Sequence, residues 1–186
     1  MAQVLKDEIR DKILKAALQE FYNKGYQSAA MRSIAVKANI ATGLIYSYYK
    51  NKEALFEAVL RPVLYDWEQV LTSEHEAVDN GEVYGLSKAE TECLINLFEH
   101  RQEVIILIDK SQGTKYEYEK GRLIQEIENH LNKHLNDENA DEVFVHIIAN
   151  NFVDGLMEIM YHYKGKEWAI MMLNKLSKMY LTGIGL

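Results

Sequence analysis

Apolar residues recur at helical spacing along almost the whole chain, and this pattern limits the fold more than any other feature of the sequence. In the N-terminal segment Ile9, Ile13, Ala17 and Phe21 follow one another every four residues, which is the spacing of one face of an α-helix. The 186 residues contain a single proline, Pro62, and the turn clusters that separate β-strands are scarce. The sequence therefore predicts an all-α protein.

Turn and cap residues divide this pattern into separate helices. Gly25 stands where a left-handed residue would end the first helix, and Asn39 is a left-handed turn residue that ends a short second helix. A third short helix follows, and Asn51 is a good N-cap for a fourth. After a loop over Asp79–Gly85, Ser87–Glu90 has the form of a capping box. Further helices are predicted over about residues 87–100, 102–110, 116–135, 141–163 and 166–181.

Pro62 falls inside the apolar pattern of the fourth helix. Its ring lacks an N–H group and crowds Ala58, so the helix either kinks or stops and restarts. Apolar residues continue after the proline, from Val63 to Leu71. This continuation favours a kinked helix that runs on past Pro62.

Charge is divided unevenly along the chain. Residues 1–52 contain nine Lys or Arg and four Asp or Glu, a net charge of +5, whereas residues 53–186 contain twelve and twenty-four, a net charge of −12. At physiological salt, screening limits the charges that a phosphate backbone senses to those within about 8–10 Å. A basic N-terminal segment can therefore bind nucleic acid although the whole chain is acidic.

The remaining composition points to a reducing compartment. Cys93 is the only cysteine, so no internal disulfide can form. The N-terminus is charged from Lys6 onward and lacks the apolar core of a signal peptide. The longest apolar run, Val104–Ile108, is too short to cross a bilayer. These features predict a cytoplasmic protein.

The first three helices have the pattern of a helix-turn-helix unit, since they are short and a tight turn separates the second from the third. The third helix starts with the small residues Ala41 and Gly43 and carries the tyrosines Tyr46, Tyr48 and Tyr49. Small residues let a backbone approach DNA closely, and hydroxyl and ammonium groups reach phosphates. The pattern predicts that the third helix binds the major groove.

This N-terminal pattern resembles the DNA-binding region of TetR-type transcriptional repressors over about residues 9–56. The matching residues are Gly25, Tyr26, Met31, Arg32, Ile34, Ala35, Gly43, Ile45, Tyr46, Tyr49, Lys52 and Leu55. Three positions depart from the family pattern: Ala30 and Ala41 stand where Thr or Ser is usual, and Tyr48 stands where histidine is frequent. Because side chains that face the bases differ, the operator sequence stays open.

The resemblance implies a role for each matched position. Arg32, Tyr46 and Lys52 would contact phosphates, and Ile45 and Tyr49 would lie in the core. The complete implied DNA-contact set is Arg32, Thr42, Gly43, Leu44, Tyr46, Ser47, Tyr48 and Lys52.

The residues themselves leave other roles open at these positions. Tyr46 and Tyr48 could pack on the fourth helix instead of facing DNA. Arg32 and Lys50 could be solvated charges, and Lys52 could balance a neighbouring carboxylate.

The resemblance also implies a division into a DNA-binding domain, residues 1–52, and a ligand-binding and dimerisation domain, residues 53–186. The last two helices have apolar faces broader than a small bundle needs, so two such helices from each subunit could form a four-helix interface. The predicted interface residues are Ile147, Ile148, Phe152, Leu156, Ile159, Trp168, Met171, Met172, Leu176 and Met179.

A ligand pocket is expected among the middle helices. Its candidate residues are Cys93, Leu97, Phe98, Ile105, Ile108, Tyr116, Tyr118, Asn150, Asn151, Phe152 and Met157. No cofactor is predicted, and no metal, because the row Glu126, His130 and His134 lies on one helix face and cannot surround an ion.

Catalytic motifs such as a nucleophile elbow, a phosphate-binding glycine loop or a CxxC pair do not occur in the sequence. The sequence therefore predicts a dimeric, ligand-responsive repressor, not an enzyme, that binds a palindromic operator and is released by a small-molecule inducer. Two alternatives stay open: a DNA-binding regulator without a ligand, and a helical protein–protein adaptor. Repression is also not distinguished from activation.

Overall fold

The predicted all-α fold is confirmed by the computed structural model, which describes residues 2–64, 88–134 and 141–183. These ranges contain α-helices and one 3₁₀ turn, with no strand. The helices are α1 (Ala2–Ser28), α2 (Met31–Ala38), α3 (Thr42–Tyr48), α4 (Lys52–Leu60), α5 (Lys88–Glu99), α6 (Arg101–Asp109), α7 (Glu119–His134), α8 (Glu142–Tyr161) and α9 (Lys166–Gly183). The predicted loop Asp79–Gly85 and the Ser87 cap lie outside the described residues.

The chain forms two compact units. Unit 1 comprises Met1–Leu64 and Gln102–Tyr118, and unit 2 comprises Tyr65–Arg101 and Glu119–Leu186. Most of α6 and the turn after it therefore belong to the same unit as the helix-turn-helix. The predicted division after residue 52 concerns function, and it stays a prediction.

The core of unit 1 joins α1 to α4 through aromatic rings. Ile13, Ala17 and Phe21 of α1 are fully buried, as their four-residue spacing predicts. The rings of Phe21 and Phe56 meet edge to face, with centroids 4.9 Å apart at 88°. The ring of Tyr26 lies 4.8 Å from that of Phe56. Three rings thus fix the C-terminal end of α1 on α4.

Gly25 interrupts α1 with a conformation that other residues avoid. Its φ of 71° and ψ of 168° lie in a region that is essentially restricted to glycine. The predicted positive φ is confirmed, and so is the predicted end of the main helix, since a separate short helical piece follows Gly25 and runs to Ser28. Gly25 thereby turns the last carbonyls of α1 away from the axis of its main part.

The fourth helix ends before the proline. α4 stops at Leu60, and Arg61–Val63 form a 3₁₀ turn that contains Pro62. Leu64 then has φ −83° and ψ 86°, which is not helical. The predicted kinked, continuing helix is therefore wrong as far as Leu64, because the missing N–H and the bulky ring end the α-helical hydrogen bonds. The following residues, to Leu71, lie outside the described ranges.

Helix α8 is the central helix of unit 2, packed between α7 and α9. By length and composition it could cross a membrane, but core helices of soluble proteins pass the same test. Its buried residues are Val145, Ala149, Val153, Leu156, Met157, Ile159 and Met160. A Cβ atom on Gly155 would lie 2.8 Å from Leu176 Cδ1, so this glycine allows α8 and α9 to approach closely.

Candidate nucleic-acid interface

Helices α2 and α3 form a helix-turn-helix whose turn depends on Asn39. Asn39 has φ 54° and ψ 49°, the left-handed conformation predicted for it, and its N–H donates to Val36 O at 3.1 Å. The N-caps Ala30 and Ala41 provide no side-chain hydrogen bond. Both helices therefore depend on packing, and Ile45 of α3 is fully buried, in agreement with its predicted core role.

The opposite face of α3 is open to solvent. Tyr46 is 51% exposed, and Gly43, Leu44 and Ser47 are also exposed. Ser47 Oγ donates to Leu44 O at 2.7 Å, which fixes the hydroxyl and leaves its oxygen as an acceptor. The sequence predicts DNA contacts at these four positions, and the structure brings them together on one surface.

The other two α3 residues predicted to contact DNA, and the C-cap residue Tyr49, are less exposed than these four. Thr42 and Tyr48 are half-buried. Tyr49, which follows the helix, is half-buried too, and burial together with Asp11 raises its pKa although Arg10 lowers it. Tyr49 therefore lies near α1, as expected for a packing residue.

Gly43 has no packing role within the fold. A Cβ atom built on it would meet nothing within 4 Å, and it lies inside a regular helix. Glycine at a helical position destabilises the helix by about 0.5–1 kcal/mol relative to alanine. This position on the exposed face allows another molecule to approach the backbone of α3.

The two charged residues of α2, Arg32 and Lys37, are both exposed, but they differ in their partners. Lys37 is tied to a buried carboxylate of α1. The Glu20 side chain is fully buried, with Oε1 2.8 Å from Lys24 Nζ and Oε2 2.6 Å from Lys37 Nζ. Burial alone would raise the pKa of Glu20, but the two ammonium groups outweigh it and hold the pKa below 4.5. Arg32, unlike Lys37, is thus not held by the Glu20 carboxylate.

Lys52 is surrounded by acceptors of its own unit. Its Nζ donates to Tyr26 O at 2.8 Å, Ala29 O at 3.1 Å and Gln27 O at 3.3 Å. The same atom lies 4.4 Å from the centroid of the Tyr26 ring, and burial lowers the pKa of Lys52. An ammonium group has three donors, so the structure leaves none for the phosphate contact implied by the resemblance.

The turn after α6 is attached to the end of α1. The Tyr26 N–H donates to Lys110 O at 2.9 Å, and Lys110 Nζ donates to Tyr22 O. Lys115 Nζ lies 2.7 Å from Glu57 Oε1 on α4. Residues 102–118 therefore form part of the unit that carries α3.

The candidate pocket residues are distributed over both units. Ile105, Ile108, Tyr116 and Tyr118 lie in unit 1, whereas Cys93, Leu97, Phe98, Asn150, Asn151, Phe152 and Met157 lie in unit 2. Tyr118 is 73% exposed and Asn151 is exposed, so both are surface residues of their units. The pocket stays a prediction.

Two buried hydroxyl groups in unit 2 were not identified from the sequence. Thr91 on α5 and Ser177 on α9 are buried, and their oxygens have no hydrogen-bond partner among the described residues. Their helices pack against each other. An unpaired buried hydroxyl is costly and calls for an explanation, but serine and threonine carry no signal in the sequence that would single these two out.

The exposed apolar residues of α8 and α9 only partly match the predicted dimer interface. Six of the eleven large apolar side chains exposed in the described residues lie on these two helices: Val143, Phe144, Ile147, Tyr161, Met171 and Met179. Leu156 and Ile159 are each 5% exposed, so their assignment to the interface is wrong because they belong to the core of one chain. The other predicted interface residues, Ile148, Phe152, Trp168, Met172 and Leu176, are half-buried.

Comparison with known proteins shows that the N-terminal region is similar to bacterial regulatory proteins. The family model described as "Bacterial regulatory proteins, tetR family" matches residues 13–59. The chain is 28% identical over 123 residues to the HTH-type transcriptional regulator YvkB of Bacillus subtilis, a match of 66% of this chain and 58% of YvkB. It is 32% identical over 109 residues to the HTH-type transcriptional repressor KstR2 of Mycolicibacterium smegmatis, a match of 55% of this chain and 50% of KstR2. The matches thus span only about half the length of these curated relatives.

The fold also occurs in solved structures. A TetR-like transcriptional regulator from Rhodococcus sp. RHA1 superposes with a TM-score of 0.58 at 21% identity, covering 94% of this chain and 96% of that protein. The shared architecture extends beyond the N-terminal match and includes the C-terminal helices.

Proposed function

Because this chain belongs to the TetR family of bacterial regulatory proteins, we propose that it is a dimeric repressor that binds a palindromic operator and is released by a small-molecule inducer. It regulates transcription and is not an enzyme. KstR2 is named a repressor, which supports repression over activation. The protein would act in the cytoplasm, where the operator lies.

The observation that carries the proposal is the open face of α3. Gly43, Leu44, Tyr46 and Ser47 are exposed together, and Ile45 anchors the helix from behind. A short helix anchored on one side, with hydroxyl groups and a bare backbone position on the other, meets the requirements for insertion into a major groove. Arg32 on the neighbouring helix supplies a cation for phosphate.

A two-fold dimer would place two copies of α3 on one side of the duplex. Recognition helices in such dimers bind half-sites about 34 Å apart, or a multiple of that distance. The exposed apolar side chains of α8 and α9 support a self-complementary interface between copies. Glu158 on α8 and Lys175 on α9 are exposed as well, and their opposite charges favour contact between unlike helices.

An inducer would act by binding one conformation of the ligand-binding and dimerisation domain more tightly than another. Repression then weakens by the ratio of the inducer's affinities for the two states. Residues 102–118 support a route for this coupling, since Lys110 and Lys115 are attached to α1 and α4 of the helix-turn-helix unit. Movement of α6 would be transmitted to the helices that brace α3.

Replacing Gly43 with alanine tests whether α3 approaches DNA. We expect Gly43→Ala to raise the free energy of unfolding by about 0.5–1 kcal/mol, because the Cβ meets no protein atom and alanine favours the helix. We expect affinity for a duplex selected by the wild-type protein to fall by about tenfold or more, because the methyl group would meet the groove. Melting curves and mobility shifts measure the two effects.

Gly121 provides the matched control for Gly43→Ala. It also lies in a helix, α7, with nothing within 4 Å of a built Cβ atom, but it is in unit 2. Gly121→Ala should give a similar gain in stability with unchanged DNA affinity. Undiminished DNA affinity in Gly43→Ala would contradict the proposed role of α3.

The unpaired hydroxyls of Thr91 and Ser177 are proposed as polar contacts for the inducer. Thr91→Val and Ser177→Ala should leave the free energy of unfolding unchanged or raise it by up to about 1 kcal/mol, because neither substitution removes a hydrogen bond. Compounds that raise the melting temperature of the wild-type protein in a small-molecule screen should stabilise these two variants less.

Ser111 is the control for the two hydroxyl variants. Its buried Oγ lies 2.8 Å from Leu107 O and 2.9 Å from Tyr116 O, so Ser111→Ala should lower stability by about 1 kcal/mol. Wild-type responses to every stabilising compound in both Thr91→Val and Ser177→Ala would contradict the ligand role.

A further inference from the structure

We infer that Lys52 is a positioning residue that fixes both ends of the helix-turn-helix, and that it does not contact DNA phosphate. The inference rests on the proposed function, because it assigns the roles of cations within the same DNA-binding surface. It departs from the role that the family resemblance implies for Lys52.

The position of Lys52 in the chain is the first reason. The helix-turn-helix runs from the N-cap Ala30 to the C-cap Tyr49. Lys52 lies three residues after this end, and its acceptors Gln27 and Ala29 lie just before the other end. Its ammonium group therefore closes the segment into a loop, so that neither end of α2–α3 moves independently of the other.

The geometry of the acceptors is the second reason. Gly25 turns the end of α1, and Tyr26 O, Gln27 O and Ala29 O all point at one nitrogen within 3.3 Å. Three carbonyls around one point match the three donors of an ammonium group. They do not match the planar guanidinium of arginine, whose donors lie in a fixed fork.

The surroundings of the cation are the third reason. The ring of Tyr26 covers the nitrogen at 4.4 Å and is itself packed on Phe56. A phosphate contact would have to withdraw the ammonium group from these partners. By contrast, Arg32 is exposed and can reach a phosphate without giving up such contacts.

Three variants separate positioning from phosphate contact: Lys52→Met, Lys52→Arg and, as the comparison, Arg32→Gln. Each is titrated against a duplex selected by the wild-type protein from a random-sequence pool, and against poly(dI-dC), over a range of salt concentrations. Removing one cation from a phosphate lowers the slope of log K against log salt by about 0.9, and a dimer carries two copies of each cation. Arg32→Gln should therefore lower the slope by about 1.8 on both duplexes.

We expect Lys52→Met and Lys52→Arg to behave alike. Both should weaken binding to the selected duplex by about tenfold or more, while the salt slope stays at the wild-type value and poly(dI-dC) affinity changes by less than about twofold. Wild-type affinity in Lys52→Arg combined with a lowered slope in Lys52→Met would overturn the inference, since arginine replaces lysine well at a phosphate. Full affinity for the selected duplex in Lys52→Met would overturn it too.

Hydrogen exchange of the free protein tests Lys52 independently of DNA. The Ala29 and Tyr49 amides, whose hydrogen bonds flank the helix-turn-helix, should exchange faster in both Lys52 variants but not in Arg32→Gln. Unchanged exchange would overturn the inference. Failure of the proposed function would look different: the wild-type protein would select no duplex, or Arg32→Gln would leave both slopes unchanged, whatever the exchange rates show.

Discussion

Replacing Glu20 with glutamine is expected to lower the free energy of unfolding by about 3 kcal/mol at neutral pH. The carboxylate is fully buried between Lys24 and Lys37, and removing one partner of a buried ion pair costs about 3–5 kcal/mol. We expect the lower end of this range because the ammonium groups of Lys24 and Lys37 both reach solvent. The neutral amide keeps the shape of the side chain, so the difference measures charge and hydrogen bonding. Urea unfolding at neutral pH measures this difference.

The loss of stability in Glu20→Gln should become smaller as the pH falls. The pKa of Glu20 in the folded protein lies below its ordinary value of 4.5, so the carboxylate stabilises the fold above pH 4.5, and this contribution is lost as the pH falls through the folded pKa. The wild-type protein and the variant should therefore converge in stability under acid conditions. Unfolding curves recorded at several pH values between neutral and acid test this.

The same substitution at Glu8, Glu8→Gln, is the control. Glu8 is an exposed carboxylate of the same helix, so Glu8→Gln should change stability by less than about 0.5 kcal/mol. Equal effects of the two variants, or a constant difference between Glu20→Gln and wild type down to acid pH, would contradict the role assigned to the buried carboxylate.

The helices and the turn of the DNA-binding region could be predicted because their causes lie close together in the sequence. The spacing of Ile13, Ala17 and Phe21 determines the buried face of α1. Asn39 accepts the left-handed conformation that separates α2 from α3. These causes act over a few residues, so one sequence is enough to detect them.

The partners of the charged residues could not be predicted in the same way. Lys52 donates a hydrogen bond to Tyr26 O, 26 positions earlier in the chain. Lys37 on α2 forms an ion pair with Glu20 on α1. Such pairs depend on how α1, α2 and α4 cross, and no local pattern fixes those angles. Lysines in a basic segment therefore look alike in the sequence although only some face solvent.

The buried side of α8 could not be predicted from the sequence either. The helix is apolar around most of its circumference, so periodicity does not distinguish a core residue such as Leu156 from an exposed one such as Ile147. The structure separates them, since Leu156 is buried and Ile147 is 47% exposed. Phe144 and Val143 are exposed on the first turns of the helix, which adds two residues to the surface available for a partner.

Replacing Ile147 with glutamate is expected to abolish dimerisation and, with it, most of the operator affinity. A charge in the middle of an apolar interface is left desolvated and unpaired, and the two-fold axis places two such charges in one contact. Without linked half-site binding, affinity for the selected duplex should weaken by about 100-fold or more. Sedimentation equilibrium measures the oligomeric state, and mobility shifts measure the affinity.

Tyr118→Glu is the control for the dimer-interface variant. It places the same charge on a side chain that is more exposed, at 73%, but that belongs to unit 1, so it should leave the oligomeric state and operator affinity unchanged. A helical content equal to wild type would show that Ile147→Glu is folded, since the side chain is already half open to water. If Ile147→Glu stayed dimeric and bound the operator normally, two copies would have to meet through another surface, and the exposed residues of α8 and α9 would need a different partner.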